Sequence, residues 1–109
     1  TRGTLVESLA ATNLAIEWAT GDWSNKVYQG IHAYTDHPEV SINKRTIAWL
    51  RAHAHYDDLH PVEGMELIKL LCGENIELRD KAFNAVKNGL AYYEMALDEC
   101  YKVQQEDCL

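Results

Sequence analysis

His53-x-x-x-Asp57-x-x-His60, inside the run Ala52-His53-Ala54-His55-Tyr56-Asp57-Asp58-Leu59-His60-Pro61, sets two imidazoles and a carboxylate four and three residues apart. On a helix advancing roughly 100° per residue, Asp57 lies about 40° round the axis from His53 and His60 about 20° the other way. The three then share one stripe. Imidazole with carboxylate is a ligand set that suits iron, zinc, copper or nickel, so the chemistry this spacing offers is metal binding. A solvated polar face that happens to carry histidines has the same pattern.

Glu17 is the second residue that asks for an explanation. It sits in Leu14-Ala15-Ile16-Glu17-Trp18-Ala19, where the helix is apolar nearly all round, and a carboxylate buried there is costly unless it is paired or binds a cation. Its helix carries no Lys or Arg after Arg2, so a partner has to come from another element. A metal held by His53, Asp57 and His60 would serve; an edge position reaching solvent, or a bond to Asn13 one turn back, would also satisfy it. His55 and Asp58 point away from the triplet face, and Asp58 or Glu63 could support a ligating histidine through its other ring nitrogen. His32 and His37 read as surface or structural, and Glu63 and Glu66 as the polar side of their helix. No glycine-rich phosphate loop is present, Ser8, Ser24 and Ser41 lack a nucleophile's surroundings, and Cys72 has only its place at a helix end.

The elements that must position these residues are helical. A Thr4-Leu5-Val6-Glu7 capping box opens a helix from about residue 4 to 20, with Leu5, Leu9, Thr12, Ile16 and Ala19 as its stripe and a break at Gly21-Asp22. A second runs from Trp23 to Tyr34 and ends at Asp36-His37-Pro38. Ser41 caps a third from Ile42 to about Asp58, packed through Ile47, Leu50 and Ala54, with the metal-type triplet on its last turns. Pro61 kinks or restarts the helix, and Val62 to Leu71 continues it to Cys72-Gly73. The last helix, Ile76 to about Gln104, carries Leu78, Ala82, Ala85, Val86, Leu90, Tyr93, Leu97 and Tyr101, with Gly89 as its weak point. Trp18, Trp23, Trp49, Tyr92 and Tyr93 read as core. Strand-like alternation is absent, so the fold class is all-α, one unit of about five helices.

The 109 residues allow one domain with a modest core. A net charge of -7, with ten Lys and Arg that form no block, excludes a nucleic-acid surface. No apolar run is long enough for a membrane span and no leader opens the chain, so it reads as soluble and cytoplasmic. Cys72, Cys100 and Cys108 lack the spacing of a disulfide framework or a zinc site and read as free thiols. The chain has no initiator Met and enters an apolar helical pattern within five residues, the look of a chain that starts partway into a larger domain.

Residues Ala10 to Ser24, centred on Asn13-Leu14-Ala15-Ile16-Glu17-Trp18-Ala19-Thr20-Gly21-Asp22-Trp23, together with His53 to Glu63, resemble the haem-oxygenase-like diiron oxidases and oxygenases. The likeness extends from about residue 8 to residue 71. It implies a haem-oxygenase-like helical bundle of which residues 1–109 are the C-terminal half. Glu17 would be the ligand of the middle core helix, and His53, Asp57 and His60 those of the third. The Glu-x-x-His pair of the family's first core helix is missing, so four of six ligands are present and the N-terminal half, in the same or a separate chain, would supply the rest. The resemblance further implies two Fe(II) ions, O2 as co-substrate, a small carboxylic acid as substrate and a homodimer. The implied reaction is oxidative decarboxylation of a medium-chain fatty acid to a terminal alkene. Relatives oxygenate amino acids or amines at nitrogen or cleave C–C bonds, and thiaminase-like and quinone-biosynthesis relatives use the same bundle without a metal.

Overall fold

The computed structural model describes residues 1–56 and 59–107, with Tyr56 and Asp107 described by their backbone alone. The chain is all-α, with no strand among the described residues. Thr1 caps the first helix, α1 (Arg2–Leu9), its hydroxyl accepting the Thr4 N–H at 3.2 Å, so the cap falls three residues before the Thr4 box expected from sequence. A π-helical segment follows at Ala10–Ile16, then α2 (Glu17–Ile31) and a single 3-10 turn at His32–Tyr34. The backbone stays right-handed helical at Ala10 and Glu17, so these segments form one rod. The expected break at Gly21-Asp22 does not form. A helical glycine costs only about 1 kcal/mol, and Gly21 is buried where α2 packs against α3, which outweighs that cost.

The third helix starts later than the sequence suggests. The side-chain oxygen of Asn43 accepts the N–H groups of Arg45 and Thr46 at 2.9 and 3.1 Å, a local turn that competes with helix, and α3 spans only Ala48–Tyr56. Ser41 caps nothing. Helix α4 (Leu59–Cys72) carries Pro61 among its buried positions, with Gly64, Ile68 and Cys72. Gly73, at φ 52, ends α4 in the left-handed conformation, and Asn75 then caps α5 (Ile76–Asp107) by accepting the Leu78 N–H at 3.1 Å. The Arg79 guanidinium ties this corner by donating to the Gly73 carbonyl.

Val6, Ala10, Leu14, Ile68, Cys72, Leu78 and Ala82 make the core, flanked by Leu9, Met65, Leu71, Ala85 and Val86. Up to residue 20 the buried residues of the rod are Val6, Ala10, Leu14 and Ala15; of the expected Leu5, Leu9, Thr12, Ile16 and Ala19 stripe, Leu9 flanks the core, Ile16 and Ala19 are half-buried, and Leu5 and Thr12 are exposed. A π turn holds more residues than an α turn, so a strict 3.6-residue reading loses phase across it. The π segment is gripped from two sides. A Cβ on Gly64 of α4 would lie 3.2 Å from the Asn13 Cβ, and one on Gly89 of α5 would lie 3.2 Å from the Ala11 carbonyl oxygen. Gly89 is thus a contact point, and α5 runs straight through it.

Beyond Gly89 the support thins. Leu90, Leu97 and Tyr101, expected as core, are exposed, as are Trp18, Trp49 and Tyr92, while Trp23 and Tyr93 are half-buried. The helices form a slab of 57 × 32 × 18 Å. Its radius of gyration is 17.6 Å, against about 13 Å for a compact domain of this length. Its accessible surface is 8208 Å², against about 6,100 Å² for a compact monomer of this mass. The difference, about 2,000 Å², is of the order one protomer buries in a large obligate interface. Replacing Gly89 with valine, whose branched side chain cannot swing clear of the Ala11 backbone, should lower unfolding free energy by about 1–3 kcal/mol in urea titrations. A stabilisation, as expected of a glycine removed from a free helix, would disprove the close approach.

Candidate functional site

Glu17 opens α2 directly after the π segment, and His60 lies in the first turn of α4. The helix pair brings them together: His60 Nδ1 stands 3.0 Å from Glu17 Oε2. That oxygen is buried, yet it has no hydrogen-bond partner among the described residues, so the short contact is an ion-pair distance without an aligned N–H. Two donor atoms about 2.1 Å from one metal ion and at right angles to each other also lie about 3.0 Å apart. The pair therefore fits two neighbouring corners of a coordination shell as well as it fits a direct contact.

The two residues line a groove of about 360 Å³ with Leu9, Asn13, Glu63, Gly64 and Leu67. Two carboxylates face it and no Lys or Arg lines it among the described residues, so its field favours a cation. Glu63, expected as a supporting carboxylate, is present at the same groove.

His53 lies in α3 and His60 in α4. Asp57, the carboxylate between them, and Asp58 lie outside the described residues. His53 Nδ1 is 2.8 Å from the Trp49 carbonyl oxygen, and since a carbonyl only accepts, Nδ1 carries the hydrogen. In the neutral ring Nε2 then holds the lone pair, the arrangement usual for a metal-ligating histidine. The imidazole also stacks on the Trp49 indole, centroids 3.8 Å apart. Among the described residues no three His, Cys, Asp or Glu side chains are grouped closely enough to hold a metal; Glu17 and His60 meet, and His53 is not grouped with them.

His55 turns elsewhere, its ring edge against Tyr28, which His32 also meets from within α2 and its following turn. His37 belongs to a local turn, where its Nδ1 accepts the Glu39 N–H. Two features escaped the sequence reading. One is a largely apolar groove of about 440 Å³ between the π segment, α2, α4 and α5, lined by Leu14, Ala15, Trp18, Ala19, Met65, Val86 and Leu90, with the Asp22 carboxylate among them. The other is a polar knot at Tyr93, whose hydroxyl accepts the Trp23 indole N–H at 2.5 Å and bonds Thr20 at 3.0 Å. Tyr93 lies 70 or more residues from both partners, a pairing that helical periodicity does not encode.

No family model matches the chain, and no curated protein or solved structure is significantly similar to it.

Glu17 and His60 are respectively one-third and one-half exposed, so their mutual attraction is screened and worth at most about 1 kcal/mol. Glu17→Gln should leave the metal-free protein's unfolding free energy within about 1 kcal/mol of the parent, measured by urea denaturation. A loss of several kcal/mol would make the pair an element of the fold rather than of a site.

Proposed function

We propose that the chain belongs to a non-haem diiron oxidase or oxygenase that uses O2, and that its reaction is oxidative decarboxylation of a medium-chain fatty acid to a terminal alkene. The observation that carries this reading is the buried Glu17 Oε2, unpartnered by hydrogen bonds and 3.0 Å from the His60 imidazole. A buried carboxylate oxygen in that state is stabilised by a cation. The residues present suit iron: Glu17 and His60 would hold it from α2 and α4, with His53 from α3 and Asp57, outside the described residues, as the fourth. Bound iron(II) with mixed carboxylate and imidazole ligands supplies open positions for dioxygen and for a substrate carboxylate.

The chain's own residues do the rest. The Trp49 carbonyl fixes the tautomer of His53. The open groove between Leu14, Trp18, Met65 and Leu90 supplies a largely apolar wall of a size usual for small-molecule sites, against which an alkyl chain could lie. An amino acid or amine substrate, oxygenated at nitrogen or cleaved at a C–C bond, is the alternative within the same chemistry.

The open slab supports a partner: the N-terminal half of the domain with the remaining ligands, in the same or a separate chain, and a homodimer of the completed unit. We place the protein in the cytoplasm; among the described residues no helix is long and apolar enough to cross a membrane.

A second reading keeps the pocket and drops the metal, as in thiaminase-like proteins, with Glu17 orienting His60 for proton transfer. Anaerobic iron(II) titration separates the two. The parent should bind iron, and Glu17→Gln, His60→Ala and His53→Ala should each weaken binding by about tenfold or more. Binding that is unchanged in these variants would sink the diiron reading, and activity that survives chelation would favour the metal-free one. In sedimentation velocity the isolated chain should associate, because about 2,000 Å² of surplus surface seeks cover; a monodisperse monomer at micromolar concentration would contradict that.

A further inference from the structure

Four aromatic side chains from three helices touch in series. The Tyr93 hydroxyl on α5 meets the Trp23 indole of α2 through a 2.5 Å hydrogen bond. Trp23 stacks on Trp49 of α3 with centroids 5.8 Å apart and planes 28° from parallel, and Trp49 stacks on His53 with centroids 3.8 Å apart and planes at 22°. Packing alone would be served by aliphatic side chains at these positions. Indoles and phenols are also the protein groups most readily oxidised by one electron, and here they are in contact from end to end.

We propose that Trp49, Trp23 and Tyr93 form a one-electron path that carries reducing equivalents from α5 to the His53 end of α3, with Tyr93 as the terminal donor. A one-electron oxidant, the azidyl radical in the test below, takes one electron from Trp49 and is reduced, azidyl to azide, leaving the indole radical cation. Trp23 passes an electron to Trp49 and becomes the radical cation in turn, with no bond made or broken. Tyr93 then reduces Trp23 and loses its phenolic proton, leaving a neutral tyrosyl radical.

The hydrogen bonds around Tyr93 suit that last step. Trp23 N–H donates to the phenolic oxygen, and the Thr20 hydroxyl, 3.0 Å away and able to donate or accept, is within reach of the phenolic hydrogen. Thr20 takes that proton and releases its own to solvent, which its half-buried position allows. The Trp23 N–H stays in place and continues to bond the radical oxygen. In sum one electron and one proton leave Tyr93, and the oxidant gains the electron. That an oxidant arises beside His53 rests on the diiron reading; the path itself does not.

Pulse radiolysis on the metal-free chain tests the path, with the azidyl radical as oxidant, reduced to azide. The parent for the experiment is Trp18→Phe, because Trp18 is exposed and off the path. Tryptophan radical absorbance should decay as tyrosyl radical absorbance rises, at a rate independent of protein concentration and slower in D2O, since a proton moves in the final step. Tyr93→Phe should abolish this phase, Thr20→Val should slow it, and Tyr92→Phe, next along the helix and exposed, should leave it unchanged. An undiminished phase in Tyr93→Phe, or transfer that scales with concentration, would overturn the proposal. Circular dichroism checks that each variant folds; should Tyr93→Phe not fold, a rate in the parent unaffected by D2O would overturn it as well. Iron plays no part, so a failure to bind iron leaves this result standing.

Discussion

The approach of α4 and α5 to the π segment governs the rest of the structure. Gly64 and Gly89 present no side chain to Asn13 and Ala11, so three backbones come together at distances a Cβ would crowd. Small residues in the adjacent core, Ala10 and Ala82, keep the same spacing. Because α4 sits this close, His60 at its start reaches Glu17 at the end of the π segment. The site is the product of backbone proximity, and its two donors come from helices more than forty residues apart in sequence.

Helix class, the corner at Gly73 and the packing positions Ile47 and Ala54 were legible in the sequence because each rests on local physics: a left-handed glycine, a short apolar period. Reading failed where tertiary contacts or an uncommon geometry intervened. Gly21 was taken for a break, but burial against α3 holds the helix together. The Asn43 turn displaced Ser41 as the start of α3 by satisfying amides locally. The buried face runs through Val6, Ala10 and Leu14 rather than Leu5 and Thr12, and nothing in the residue types announces the π geometry after Leu9. Of the proposed ligands, Glu17 was legible as a carboxylate needing a partner, and His60 is the partner it meets. Tyr93 was assigned to the core for its spacing, and its real role as acceptor for Trp23 depends on a pairing across the fold.

Two helices carry both functions argued above. Helix α2 bears Glu17 and, within two turns, Thr20 and Trp23; α3 bears Trp49 and, one turn on, His53. Any displacement of α2 against α3 therefore changes the donor geometry and the aromatic contacts together. The stacked indoles at that junction add about 0.5–1.5 kcal/mol beyond the area they bury, which helps set the helix pair.

The π segment also bears on how such a chain tolerates insertions and deletions. Its wide turns hold surplus chain that a regular α-helix would not accommodate, so loss of a single residue within Ala10–Ile16 is absorbed by a return to α geometry. The faces on either side, with Val6 before it and Glu17 after it, then keep their relative direction, whereas the same loss from a regular α-helix turns everything beyond it by about 100°. The stretch just ahead of Glu17 is thus the part of the rod where a change of length disturbs the groove least.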